Sequence, residues 1–203
     1  MEAFTFAAAS DRLSEAVDAL VRESMDGVST HALGEDLISI RRAADRLEAE
    51  FLRRLDRFDR GHGPLADGGG GTASWLRDHC AMAWKAGASS AALARTLGEL
   101  PATLDSARAG RASLGNVTLI AQLAKEVGVE PVASLEEILL GAAETLDVTD
   151  MRIVVRAART KSIPTGRLRP TTAPTNVAGS RASRPMAGCS SCVVSSMPKA
   201  VRW

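Results

Sequence analysis

Two cysteines near the carboxyl end come closest to forming a metal or redox site. Cys189 and Cys192 form a C-x-x-C arrangement within the stretch GCSSCVVSSMPKAVRW. The pair supplies half of a tetrahedral zinc site, but no second pair of ligands follows it. As a redox pair it lies outside any predicted strand–helix context. The sequence therefore predicts that both cysteines are incidental.

The histidines offer no better catalytic or metal-binding group. There are three, widely spaced: His31, His62 and His79. His79 stands beside Cys80, and we interpret it as a partly buried helix position, because a metal ion there would lack further ligands. The sequence thus predicts no catalytic, cofactor-binding or metal-binding residue, and no cofactor.

A glycine-rich stretch, GHGPLADGGGGT at 61–72, has the composition of a phosphate-binding loop. No G-K-[ST] follows it and no predicted strand precedes it, so the phosphate-binding motif is incomplete. We interpret 61–72 as a flexible connection between helices.

The composition favours an all-α protein. Of the 203 residues, 45% are apolar but only 3% are aromatic, and tyrosine is absent. Helices packed through small residues fit this bias better than a β-sandwich does. No apolar run approaches the roughly 18 residues of a membrane span. The amino-terminal MEAFTFAAASDR lacks the basic segment of a secretory signal. We therefore expect a cytoplasmic protein without membrane contact.

The charge divides the chain in two. All 24 acidic residues lie at or before Asp150, whereas the seven charged residues from Lys161 onward are all basic. Segment 161–203 also holds five of the eight prolines and loses the helical period. Such a segment buries too little apolar surface to offset its ordering entropy. The sequence predicts a helical domain over residues 10–160 and a disordered basic tail over 161–203.

Apolar spacing predicts a succession of helices. Ser10 is the predicted cap of the first, and 35–58 forms one long amphipathic helix. Its apolar stripe repeats at steps of three and four: Leu37, Ile40, Ala44, Leu47, Phe51, Leu55 and Phe58. Further helices are predicted to begin at Thr72 or Ser74, Lys85, Pro101, Ser113, Ser134 and Thr149, with Gly110 and Gly128 as stops.

Three motifs carry a family resemblance. The G-x-x-S-W-L start of GGTASWL, the L-x-x-L-P turn at Leu97–Pro101 and the A-G-R-x-S turn at Ala109–Ser113 resemble the actinobacterial domain of unknown function 222. This is also called the mycobacterial thirteen-E-twelve repeat family. The resemblance is strongest over 69–124. It implies an all-helical domain, which in full-length members usually precedes an HNH endonuclease domain.

The nuclease part of that family has no counterpart in these residues. An HNH site needs a histidine base and ligands that hold a divalent metal against the phosphate, and none of the three histidines stands in such a context. The resemblance therefore implies a truncated, non-catalytic relative that retains the helical domain only. Metal-dependent nicking of plasmid DNA tests that interpretation.

The tail has two interpretations. In the first, it is translated out of frame, since permitted codons allow GCSSCVVSSMPKAVRW to be reread as LLVLRGVLDAEGGAV. That string resembles the family segment just beyond the helices, where an apolar run precedes L-D-x-E-x-G. In the second, it is an authentic disordered tail. Sequencing the gene from codon 155 downstream separates the two.

Two binding functions stand beside the family interpretation. The stripe of the long helix, from Glu35 to Phe58, is either the domain's own core or a coiled-coil-like face for self-association. The segment 117–131 has the spacing of a helix-turn-helix, but Glu136 and Glu137 would face the phosphates. DNA binding is therefore expected to be weak, or to depend on the basic tail.

Overall fold

The computed structural model describes residues 2–66, 68 and 70–162, and their side chains from residue 8 to residue 161 within those ranges. All regular structure in these residues is helical, so the predicted all-α class is confirmed. The helices within the described ranges are α1 (Glu2–Arg22), α2 (Thr30–Arg60), α3 (Gly63–Ala66), α4 (Thr72–Cys80), α5 (Trp84–Gly98), α6 (Pro101–Ala109), α7 (Leu114–Val127), α8 (Val129–Ala133), α9 (Glu136–Thr145) and α10 (Val148–Ser162).

Local signals set most helix ends where the sequence predicts them. Pro101 occupies the first turn of α6, where a missing N–H costs nothing. Gly110 ends α6 in the left-handed region at φ 74°, a conformation that glycine adopts without the steric cost of a Cβ. The Ser113 hydroxyl accepts a hydrogen bond from the Asn116 N–H at 3.2 Å and so caps α7.

Two predicted helix starts are wrong. Ser10 lies inside α1 and does not cap it, because the helix continues back to Glu2 through the strong helix formers Ala7 to Ala9. Ser134 does not cap α9 either. Its hydroxyl donates to the Glu130 carbonyl oxygen at 3.0 Å, as part of the turn that follows the short α8.

The core brings together the carboxyl-terminal half of α2 and all later helices except α3. Leu52 of α2 and Leu97 of α5 are almost wholly buried. The other buried large apolar side chains come mainly from α4 to α10: Leu76, Leu100, Leu104, Val117, Ile120, Leu123, Val132, Leu139 and Met151. Many of the remaining core positions are alanines, including Ala49, Ala91, Ala94 and Ala124, so the helices pack through small residues as the composition predicts.

Buried polar groups join α6 and α7 to α9. The Glu136 carboxylate of α9 accepts hydrogen bonds from the Thr103 N–H at 2.8 Å and from its hydroxyl at 2.7 Å, so it caps α6. The Asn116 side-chain amide donates to the carbonyl oxygens of Ala143 and Leu146, which end α9. These bonds fix α9 against the amino-terminal turns of α6 and α7.

The predicted tail begins close to the end of α10. Lys161 and Ser162 still belong to that helix. The rest of the predicted tail, 163–203, lies outside the described residues.

Candidate interaction surface

The most exposed part of the fold is formed by α1 and the amino-terminal part of α2, from Thr30 to Glu48. We call these two segments the arm. Every arm residue of α1 whose side chain is described, from Ala8 to Arg22, is exposed. In α2 the first buried residue is Ala49, nineteen residues after the helix begins. The arm therefore extends from a body to which only the later part of α2 is packed.

The arm carries a concentration of large apolar side chains that remain open to solvent. In α2, Leu37 is 67% exposed and Leu47 is 46% exposed. The other exposed apolar residues of the arm are Leu13, Val17, Leu20, Val21, Ile38 and Ile40. Scattered apolar residues are ordinary on a protein surface, whereas a contiguous set indicates a binding surface.

The exposed stripe and the core stripe lie on different faces of α2. The core stripe contains Ala49, Leu52 and Leu55. The exposed stripe contains Ile40, Leu47 and Phe51, of which only Phe51 is half-buried. At about 3.6 residues per turn, the centres of the two stripes are about 120° apart around the helix axis, although Leu37 lies in line with Leu55, about five turns away. The interpretation that the predicted stripe forms the domain's own core holds for Leu55 and for Phe51, which packs against the core. It is wrong for Leu37, Ile40 and Leu47, which are exposed.

Helix α1 lies beside this second face of α2. Ala9, Ser10 and Leu13 line one side of a cleft of about 200 Å³, and Leu47 and Phe51 line the other. The connection between the helices, 23–29, is only seven residues long, so α1 folds back towards α2 as a loosely packed helical hairpin in which every described α1 residue stays exposed. Leu13 nevertheless stays 43% exposed, so this hairpin covers its apolar stripes on one side only.

Ionic and hydrogen-bonded contacts fix the base of the arm to the body. The Glu50 carboxylate accepts hydrogen bonds from Arg53, Arg54 and Arg108. These arginines, Arg53 foremost, lower the pKa of Glu50 to about 2. One turn earlier, the Arg46 guanidinium donates to the carbonyl oxygen of Arg108 at 3.1 Å. The direction in which α2 leaves the body is therefore set by α6.

A second contact holds the arm against α7. The Asp45 carboxylate accepts a hydrogen bond from the Leu114 N–H at 3.3 Å and forms an ion pair with Arg41. A carboxylate at the amino terminus of a helix is stabilised by the partial positive charge there. This contact joins the arm to the body about one turn before Ala49, the first buried residue of α2.

A polar cleft of about 310 Å³ opens beside this contact, between α7 and the end of α9. Its charged residues include Arg111 and Glu144, which pair with each other at 2.9 Å; this pair lowers the pKa of the Glu144 carboxyl. Asn116 also lines the cleft and its Oδ1 has no hydrogen-bond partner. That oxygen is buried, so it does not present an acceptor to a ligand in the cleft.

The histidine and cysteine side chains that could bind a metal ion lie far apart in the described structure. His31 lies in the first turn of α2 and His62 just beyond its end, about 46 Å apart at 1.5 Å per residue. The prediction that His79 is partly buried is wrong: it is exposed, with its ring stacked on Trp75 at 4.6 Å. Cys80 is an exposed free thiol. Among the residues that the structure describes, no three His, Cys, Asp or Glu side chains are placed to hold one metal ion. Cys189 and Cys192 lie outside those residues.

The segment with helix-turn-helix spacing does not form that motif. After α7, only the five-residue α8 follows, and its Val132 is buried. Glu136 faces inward to cap α6 through Thr103. The helix that would enter a DNA groove is therefore divided between the short α8 and α9, whose first turn packs against the body through Glu136.

The sequence predicts one feature of the arm, its apolar stripe, but not its exposure. The 3–4 spacing in α2 predicts an apolar stripe, but it does not predict that Ala49 and Leu52, outside that stripe, form the core contact. In the described part of the chain, no helix is both long and apolar enough to cross a membrane. Comparisons with protein-family models, with curated proteins and with solved structures find no match for this chain.

Proposed function

We propose that this protein is a helical interaction module that pairs two copies of itself through the arm. The observation that carries the proposal is the set of exposed apolar side chains in the amino-terminal part of α2, Leu37, Ile40 and Leu47, which precede the part of the helix that the body covers. Removing such a stripe from water contributes about 25 cal/mol for each Å² of apolar surface buried. The half-exposed side chains of α1, Leu13 and Leu20, widen the same surface.

The repeat of the stripe favours another helix as its partner. From Leu33 the apolar positions of α2 follow alternating steps of four and three as far as Phe51: Leu33, Leu37, Ile40, Ala44, Leu47 and Phe51. This spacing of 3.5 residues is the repeat that places side chains between those of a facing helix. An identical hairpin supplies two such helices, and the four together form a bundle with the stripes inside.

The size of the arm fits a modest, reversible dimer. The exposed nineteen residues of α2 are about 28 Å long at 1.5 Å per residue. With α1 beside α2, the surface is about 20 Å wide, which is the combined width of two helices of about 10 Å diameter each. Two such faces bury roughly 1,100 Å² in total, close to the lower limit for specific interfaces. We therefore expect dimers that dissociate on dilution.

Sedimentation velocity of the full chain over a range of concentrations tests the proposal. The wild type is expected to shift from monomer to dimer as concentration rises. Leu37→Glu with Leu47→Glu is expected to stay monomeric, because the charges would have to be buried unpaired. The matched control is Leu65→Glu with Ile138→Glu, which changes two residues that are 66% and 68% exposed outside the arm; it is expected to dimerise like the wild type.

Two results would contradict self-association. One is a wild-type chain that remains monomeric at every concentration. The other is a dimer that the two arm substitutions leave intact, which would place the interface elsewhere. Circular dichroism confirms in each case that the variant has kept its helices.

A second proposal concerns the family. We infer that the chain is a non-catalytic relative of the HNH-endonuclease-associated proteins that it resembles. In favour of this proposal, residues of the three resembling motifs occupy structural positions in the body. Leu76, Leu97 and Leu100 are fully buried, and Gly110 adopts the left-handed conformation that ends α6. The family motifs thus coincide with positions that this fold requires.

Cleavage assays test the second proposal. Supercoiled plasmid incubated with the purified chain and Mg²⁺, Mn²⁺ or Zn²⁺ is expected to remain intact, because His31 and His62 stand too far apart to share one metal ion. The proposal would be overturned by a nicking activity that copurifies with the chain and is abolished by a chelator.

A further inference from the structure

The outward face of α10 differs in charge from the rest of the described surface. From Met151 to the end of the chain there are ten basic residues and no acidic one, whereas residues 1–150 carry 15 basic and 24 acidic residues. Arg152, Arg156 and Arg159 lie in α10, where they are exposed. The change from acidic to basic therefore begins on an ordered helix of the body.

Packing fixes the direction in which these arginines project. Met151 is wholly buried, and Val154, Val155 and Ala158 pack against the core. At about 3.6 residues per turn, Arg152, Arg156 and Arg159 fall within an arc of about 60° on the side away from Val154. Residues at i and i+4 on a helix are about 6 Å apart, so the three guanidinium groups form a short basic row.

The arginines of the row are less engaged in ion pairs than most of the arginines between α2 and α7. Most arginines of the body pair with a carboxylate, as Arg60 does with Asp56 and Arg111 with Glu144. Within the described part of the chain, neither Arg152 nor Arg156 has an ion pair, and Arg159 has one contact of 3.3 Å with the half-exposed Glu126. The row therefore retains donors for an external anion.

We propose that this row binds the phosphate backbone of a nucleic-acid duplex without reading its base sequence. A guanidinium donates two parallel hydrogen bonds to a phosphate, and an ordered row of them matches a polyanion of regular charge spacing. A lipid surface fits less well, because a membrane-bound helix inserts its apolar face. That face of α10 is occupied by the core, and Ile153, 64% exposed, is the large apolar side chain left outward.

The acidic body limits the strength of this binding. With three arginines engaged, the logarithm of the binding constant should fall with the logarithm of salt concentration with a slope of about −2.7 from the row. Affinity in the range of nonspecific binding, roughly 10⁻⁴ to 10⁻⁶ M at physiological salt, is expected.

Fluorescence anisotropy with a labelled DNA duplex of arbitrary sequence tests the proposal on the full chain at low salt. Arg152→Glu with Arg156→Glu is expected to weaken binding by on the order of tenfold and to reduce the salt slope by about 1.8. The matched control is Arg57→Glu with Lys85→Glu, two exposed basic residues outside both the arm and α10, which changes the net charge equally. Both variants leave 163–203 unchanged, so their difference reports α10.

Three outcomes would overturn the proposal. The wild type does not bind the duplex at low salt, or the α10 variant binds as tightly as the control variant, or the row is needed for binding phosphatidylserine vesicles while the duplex is not bound. If charge reversal unfolds the chain, Arg152→Gln with Arg156→Gln replaces it, and a loss of affinity larger than that of Arg57→Gln with Lys85→Gln is the expected result.

Discussion

Glu50 of α2 and Arg108 of α6, 58 residues apart in the chain, meet through a hydrogen bond of 2.9 Å between Oε2 and Nε. The contact lies one residue after Ala49, the first buried position of α2. It therefore marks the point where α2 changes from an exposed arm to a core helix. Arg53 and Arg54 of α2 approach the same carboxylate, so that three guanidinium groups surround one acid.

Glu50→Gln is expected to lower the free energy of unfolding by about 1 kcal/mol at neutral pH, because the variant loses charge-assisted hydrogen bonds at a partly exposed site. The pKa of Glu50 is lowered to about 2 from its ordinary 4.5. Its stabilising effect is thus fully present above about pH 5 and is lost as the pH falls towards 2. Urea unfolding at several pH values measures this.

Glu48→Gln is the control for that experiment, since Glu48 is an exposed residue of the same helix. Its effect on the free energy of unfolding should stay within about 0.5 kcal/mol. A difference between wild type and Glu50→Gln that stays constant from pH 7 to pH 2 would contradict the assigned role of the ionised carboxylate.

Glu136→Ala is expected to destabilise the fold by about 1–3 kcal/mol, because it leaves the buried N–H and hydroxyl of Thr103 without their acceptor. Glu137→Ala changes the exposed neighbour on α9 and should have little effect. Thermal unfolding followed by circular dichroism compares the two. Equal melting temperatures for both variants would show that the carboxylate does not cap α6.

Leu52 lies in the part of α2 that the body covers and Leu37 lies in the arm, so their substitution is expected to have opposite outcomes. Leu52→Ala removes a side chain that is 1% exposed and is expected to cost about 2–5 kcal/mol. Leu37→Ala removes one that is 67% exposed, and its cost should remain within about 0.5 kcal/mol at concentrations where the chain is monomeric. Chemical denaturation of both variants measures the difference. A large cost for Leu37→Ala in the monomer would mean that the arm is part of the core.

Gly110→Ala is expected to cost about 1–2 kcal/mol, because φ is 74° and an added Cβ would lie 3.0 Å from the Arg46 side chain. Gly141→Ala, inside α9, places the Cβ in open space and is expected to stabilise the fold by about 0.5–1 kcal/mol. Opposite shifts of the denaturation midpoint are therefore expected. A neutral Gly110→Ala would show that the turn after α6 tolerates another geometry.

Signals carried by a few neighbouring residues predicted much of the helical pattern. Pro101, Gly110 and Ser113 act on backbone groups within one turn, so their positions alone are enough to place the ends of α6 and α7. The same reasoning failed at Ser10 and Ser134, where the serine also fits inside a helix or turn and the residues around it decided. Helix-capping interactions act within about one turn. They therefore do not show whether a helix continues past a serine that could also cap it.

The residue pattern alone specifies the all-helical class and the existence of a long amphipathic α2. The tertiary fold determines which face of α2 the body covers, because Leu47 and Leu52 are equally apolar, and burial depends on the helices that pack there. It likewise decided that Glu50 meets Arg108 and that Glu136 caps α6, contacts between residues 58 and 33 positions apart. The apolar pattern of one helix does not specify where the other helices pack against it. The exposed arm can therefore be identified only from the tertiary structure.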